Sequence, residues 1–209
     1  VYDTPEKPFR PISNIENIEL YVDATTIQKN KDRYKMGVYL RTANYESSMV
    51  AKMPTQEHPG YNAHTGANLS AIIATMKKFE GYGGKIELTT DVSYLTRVLN
   101  GADPSGILGN DNMALWNIHK GEFLRLKNSI ENAGGSIKFK TIGNTKKARS
   151  KKGKSQKQIR EIEGIEKAHD VASRARDTDD WKPITSADIE GKPELPEGTP
   201  DVTTAPESI

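Results

Sequence analysis

Two aspartates follow the same kind of run. Asp23 ends Ile18-Glu19-Leu20-Tyr21-Val22, and Asp91 ends Ile86-Glu87-Leu88-Thr89-Thr90. Each run is short, alternating and bounded by polar residues, so each reads as a strand. Two strands that deliver one carboxylate apiece to the same sheet edge can make a divalent-cation site, because hard cations prefer carboxylate oxygen. Taken singly, Asp23 reads as a solvated strand end and Asp91 as the cap of a short helix from Val92 to Leu99. The pair is what points to a metal.

A second pattern points to a polyanion. Between Lys138 and Arg160 there are ten Lys or Arg and no Asp or Glu. Such a segment can neutralise several phosphates, with binding that weakens steeply as salt rises. Lys146, Lys147, Arg149, Lys151, Lys152 and Lys154 are the candidate nucleic-acid contacts. His58, His64 and His119 lack the spacing of a zinc site. No phosphate-binding glycine loop, catalytic triad or dinucleotide fingerprint is present.

The elements that must position these residues follow from periodicity. Residues 18–24 are the first strand. Tyr34 to Thr42 and Ser47 to Met53 are the second and third, in a meander. Ala67 to Phe79 is a helix whose apolar side carries Leu69, Ile72, Ile73, Met76 and Phe79; Asn68 reads as a cap at its start. Ile86 to Thr90 is the fourth strand. Asn100 to Asn112 is a glycine-containing loop, and Met113 to Asn132 one long helix or two in succession. Ser136 to Ile142 is the fifth strand, Asn144 to Gln158 a basic loop, and Gln158 to Arg176 a final helix carrying His169 and Asp170. No internal repeat is visible. Helical links between strands imply parallel additions to the sheet. The expected fold is therefore α/β: a mixed five-stranded sheet of three antiparallel strands and two parallel additions, flanked by helices.

The chain has 209 residues and only 34% hydrophobic content. That is low for this length, so part of the chain is expected not to pack. Residues 1–16, with Pro5, Pro8 and Pro11, read as an extended arm. Residues 17–176 read as one domain. Residues 177–209 read as a disordered acidic tail. From Asp177 on there are nine acidic and two basic residues, which leaves 28 basic and 19 acidic before it. A basic body with an acidic tail again suggests a polyanion partner. With no cysteine, thiol catalysis and disulfides are excluded. No apolar run is long enough for a membrane span, and no signal peptide is visible. The expected location is cytoplasmic or inside a viral particle.

In this element order the residues resemble the ribonuclease H-like superfamily of ribonucleases H, integrases and Holliday-junction resolvases, over roughly residues 17–176. The resemblance rests on Ile18–Thr25, on Leu88-Thr89-Thr90-Asp91-Val92-Ser93-Tyr94, on Glu122-Phe123-Leu124-Arg125-Leu126, and on Ile165-Glu166-Lys167-Ala168-His169-Asp170-Val171-Ala172. It implies phosphodiester hydrolysis with two Mg²⁺ or Mn²⁺ ions held by four acidic groups. Asp23 and Asp91 match two of these. The family's helix glutamate falls at Asn68, with Glu57 in the preceding loop as an alternative carboxylate. The last acidic position falls at His169, with Asp170 one residue later.

The resemblance implies a metal-dependent nuclease acting on RNA in an RNA–DNA hybrid or on structured DNA. Asp23, Asp91, Asp170 and His169 would be its catalytic residues, and Asp23, Asp91 and Asp170 its metal ligands. The alternative is an inactive module that binds nucleic acid or serves as a subunit of a viral or nucleoprotein assembly. In either case the arm and tail are available to protein partners.

Overall fold

The structure, a computed structural model, describes residues 17–26, 33–43, 46–54, 63–173 and 182–184. The expectations for the arm, for Glu57 and His58, for the end of the last helix at Arg176 and for most of the tail lie outside these residues.

The strands are β1 (Asn17–Thr26), β2 (Arg33–Arg41), β3 (Glu46–Pro54), β4 (Lys85–Thr90), β5 (Ser136–Thr141) and β6 (Lys182–Ile184). The helices are α1 (Ala63–Lys78), α2 (Ser93–Leu99), α3 (Asn110–Asn132), α4 (Lys146–Arg149) and α5 (Gln156–Ser173). One sheet runs in the order β5-β4-β1-β2-β3-β6. β1, β2 and β3 form an antiparallel meander, and β4 and β5 add in parallel on the β1 side. This is the mixed arrangement the sequence implies.

Alternation along β1 and β2 divides the sheet into two faces. Ile18, Leu20, Val22 and Ala24 lie in register with Leu40, Val38 and Met36, and all are buried in the main core. Leu69, Ile72, Ile73, Met76 and Phe79 cover that face from α1 and the turn after it, joined by Leu95 and Leu99 from α2 and Trp116, Phe123 and Ile130 from α3. Glu19, Tyr21 and Asp23 take the other face, in register with Arg41, Tyr39 and Gly37. α5 packs there on a small cluster of Tyr21, Tyr39, Ile165 and Ala168.

Two glycines fix how α5 lies. A side-chain carbon at Gly37 would stand 2.2 Å from the Ala168 carbonyl oxygen and 2.5 Å from the Ala172 nitrogen. One at Gly164 would stand 2.4 Å from the Tyr21 ring. The helix therefore rests with its backbone on the sheet at one point and on a tyrosine at another, which leaves little freedom to slide or roll.

Four boundaries differ from expectation. The sheet has a sixth strand, because β6, from within the expected tail, pairs with β3. Backbone pairing of three residues at a sheet edge needs no apolar pattern, and Pro183 is tolerated on an edge strand. α1 begins at Ala63, so Asn68 lies inside the helix rather than at its cap. The N-cap of α2 is Val92, and the helix begins at Ser93. Val92 is extended and buried. α3 is one continuous helix that starts inside the expected loop.

Candidate functional site

The positions of the two aspartates come from sheet register. β1 and β4 pair in parallel from Asn17↔Lys85 to Tyr21↔Thr89. That pairing ends two residues before Asp23 on β1 and two before Asp91. Asp23 lies within β1, three residues before its end, and Asp91 directly follows the neighbouring parallel strand β4. Asp23 is buried, with 4% of its surface exposed. Asp91 is half-buried.

The final helix adds a third group. His169 Nδ1 lies 2.8 Å from Asp23 Oδ2. Asp170, the next residue, is exposed. Neighbours on a helix diverge by about 100°, so only one of the two can face the sheet. Of these two adjacent candidates, the roll of α5 set by Gly37 and Gly164 brings His169 to Asp23.

Asn68 is fully buried in α1. It offers a neutral amide where the resemblance implies a carboxylate. Among the described residues, no group of three or more His, Asp or Glu is arranged to hold a metal ion. Asp23 and Asp91 supply two hard oxygen donors, but the residues do not fit the four-carboxylate, two-ion centre that the resemblance implies.

The basic segment is less uniformly free than its sequence indicates. Lys140 binds Glu161 at 2.6 Å and Glu87 at 3.7 Å. Arg160 binds Glu19 at 3.1 Å. Lys151 lies 3.6 Å from Glu166 and 3.9 Å from Glu163. Two more cations hold the loop together. Arg149 Nε donates to the Gly143 carbonyl at 2.8 Å, and Lys154 Nζ to the Ala148 carbonyl at 2.8 Å. Lys146, Lys147 and Lys152 are exposed and form no ion pair among the described residues. The counter-charges escape a local reading because they come from α5, β1 and β4.

Two features were missed. One is a short tandem repeat, Lys146-Lys147-Ala148-Arg149-Ser150 followed by Lys151-Lys152-Gly153-Lys154-Ser155. It was legible in the sequence and is hidden by its length of one turn. The other is a polar network beneath α5. Arg41 Nε donates to Glu19 at 2.9 Å and Arg41 Nη2 to the Tyr21 hydroxyl at 3.0 Å, with the guanidinium 5.4 Å from the Tyr21 ring centre. Burial pushes the Glu19 carboxyl up, but Arg41 and Arg160 outweigh it and hold Glu19 below the usual carboxylate range. Burial pushes the Tyr21 and Tyr39 hydroxyls well above theirs.

Between the end of β5 and α5 there is a cleft of about 270 Å³, bounded by Thr141, Ile142, Lys154, Gln158 and Glu161. The Ile142 N–H donates to the Thr90 carbonyl at 3.0 Å, which ties this cleft to the last residue of β4.

No family model matches the chain, and no curated protein does. Among solved structures, it is similar to the foamy viral protease-reverse transcriptase in complex with RNA/DNA hybrid, at 14% identity and a TM-score of 0.42, over 83% of this chain and 22% of that one. It is similar to the native prototype foamy virus protease-reverse transcriptase, at 12% identity and a TM-score of 0.46, over 84% and 23%. The PFV RNase H domain matches at 13% identity and a TM-score of 0.40, over 76% and 92%. The chain thus spans about a fifth of the length of the protease-reverse transcriptase chain named first. The order β5-β4-β1-β2-β3, with β1 to β3 antiparallel and β4 and β5 parallel, is the mixed sheet expected from the sequence.

Proposed function

We propose that this chain is a ribonuclease H-like module that binds a nucleic-acid backbone and does not carry out two-ion hydrolysis. The observation that carries the reading is the split within the basic segment. Arg149, Lys151 and Lys154 are engaged within the protein, and that leaves Lys146, Lys147 and Lys152 exposed on a short helix and the turn after it. Exposed lysines held on an ordered scaffold can each neutralise one phosphate, and each released counterion adds to the salt dependence. Asn68 and the His169–Asp23 pair favour binding over hydrolysis, since neither adds a hard anionic oxygen to the two carboxylates.

Among the described residues no helix is long and apolar enough to cross a membrane. The test is a salt titration of binding to a labelled RNA–DNA hybrid and to duplex DNA. Replacing Lys146, Lys147 and Lys152 together by alanine should weaken binding at least tenfold. It should also reduce the slope of log K against log salt by about 2 to 3. An unchanged slope would remove the assigned interface.

A further inference from the structure

The tandem repeat ends twice on a serine. Ser150 and Ser155 are each preceded by cations at one, three and four residues before them: Arg149, Lys147 and Lys146 for the first, and Lys154, Lys152 and Lys151 for the second. Both serines are exposed. Ser150 follows α4 in extended backbone, with φ −69° and ψ 130°. A peptide can enter an enzyme cleft in that conformation without first unwinding. Ser155 precedes α5. Its Oγ accepts from the Gln158 N–H at 3.2 Å, and the Gln158 side-chain oxygen accepts from the Ser155 N–H at 2.9 Å. This is a reciprocal cap of the helix start. An anion placed there agrees with the partial positive charge of a helix N-terminus.

We propose that Ser150 and Ser155 are substrates of an ATP-dependent serine kinase that recognises basic residues, and that the two phosphates release the nucleic acid. The release rests on the binding reading above; the modification does not. In the transfer, the serine Oγ forms a bond to the γ-phosphorus of ATP. The bond from that phosphorus to the β,γ-bridging oxygen breaks, ADP leaves, and the hydroxyl proton passes to the kinase's base. Charge patterns of this kind are how kinases select substrates. Each phosphate adds about −1.5 to −2 at pH 7, so the pair offsets about half to two thirds of the six cations in the two repeats. Lys146, Lys147 and Lys152 would then lie beside anions of the protein's own chain. Ser150 should react faster than Ser155, because Ser150 Oγ accepts only a long bond from the Lys152 N–H at 3.4 Å, whereas Ser155 is held in a two-bond reciprocal cap with Gln158.

The experiment treats the full chain with Mg-ATP and a kinase that selects serine after basic residues, and maps the sites by mass spectrometry over time. The expected result is phosphate at Ser150 first and Ser155 second, and none on this segment in the S150A/S155A variant. Binding of the labelled hybrid at about 100 mM salt should then weaken at least tenfold, while helix content is unchanged. Phosphate only elsewhere, no incorporation, or full affinity in the doubly modified protein would overturn the proposal. If the unmodified protein fails to bind, the binding reading and its release fall together, and the mapped sites stand or fall on the mass spectra.

Discussion

The two faces of the sheet are held by different means. Toward α1, α2 and α3 the contact is apolar and deep, with Trp116, Phe123 and Phe139 in a chain of rings at 5.6 and 5.7 Å. Toward α5 only a small cluster is apolar. The rest is Arg41 with Glu19 and Tyr21, and a helix backbone laid on Gly37. An apolar core is stabilised in proportion to the area it removes from water and tolerates small shifts. A contact made through a glycine and directed hydrogen bonds accepts one placement. The first face holds the fold, and the second holds His169 against Asp23.

That contrast can be broken from either side. The largest effect is expected from Phe123→Ala, which opens the ring chain of the main core. It should cost about 3–5 kcal/mol in urea unfolding while leaving the His169 ring resonances in place. Gly37→Ala should cost less, about 1–3 kcal/mol, because the new carbon meets helix backbone that cannot turn aside. It should move the His169 resonances far more than Phe123→Ala does. Equal shifts in the two variants would erase the distinction between the faces.

The first face also holds a polar group against its character. Burial pulls the Lys78 ammonium down to about 7. Lys78→Met keeps the stem and removes that cost, and should raise stability at pH 7 by about 1–2 kcal/mol in the same unfolding assay. The smallest effect belongs to His119, which is buried and whose imidazole burial lowers to about 4. The unfolded chain takes up the proton near the ordinary value of 6.5, so stability should fall as pH drops from 6.5 toward 4. His119→Gln should flatten thermal midpoints over that window, and an unchanged pH profile would remove the assignment.

How much of this was legible depends on range. Strand positions were, because alternation is local, and the parallel pairing of β1 with β4 follows once both strands are placed. The choice of His169 over Asp170 was not, because it depends on the roll of α5, and that roll is set by Gly37 and Gly164 on opposite sides of the contact. The ion pairs of Lys140 with Glu87 and of Arg160 with Glu19 were not, because Glu19 and Glu87 lie on strands distant in sequence. β6 was hidden since pairing through backbone leaves no mark in composition.

The central claim is a module that holds a nucleic-acid backbone without cutting it. One measurement tests it most directly: incubation of the purified chain with an end-labelled RNA–DNA hybrid and Mn²⁺ at a protein concentration that gives full binding. The account expects a shifted, intact hybrid, and the same outcome for Asp23→Asn. Cleavage by the wild type that disappears in Asp23→Asn would contradict it, and would make Asp23 part of an active nuclease centre.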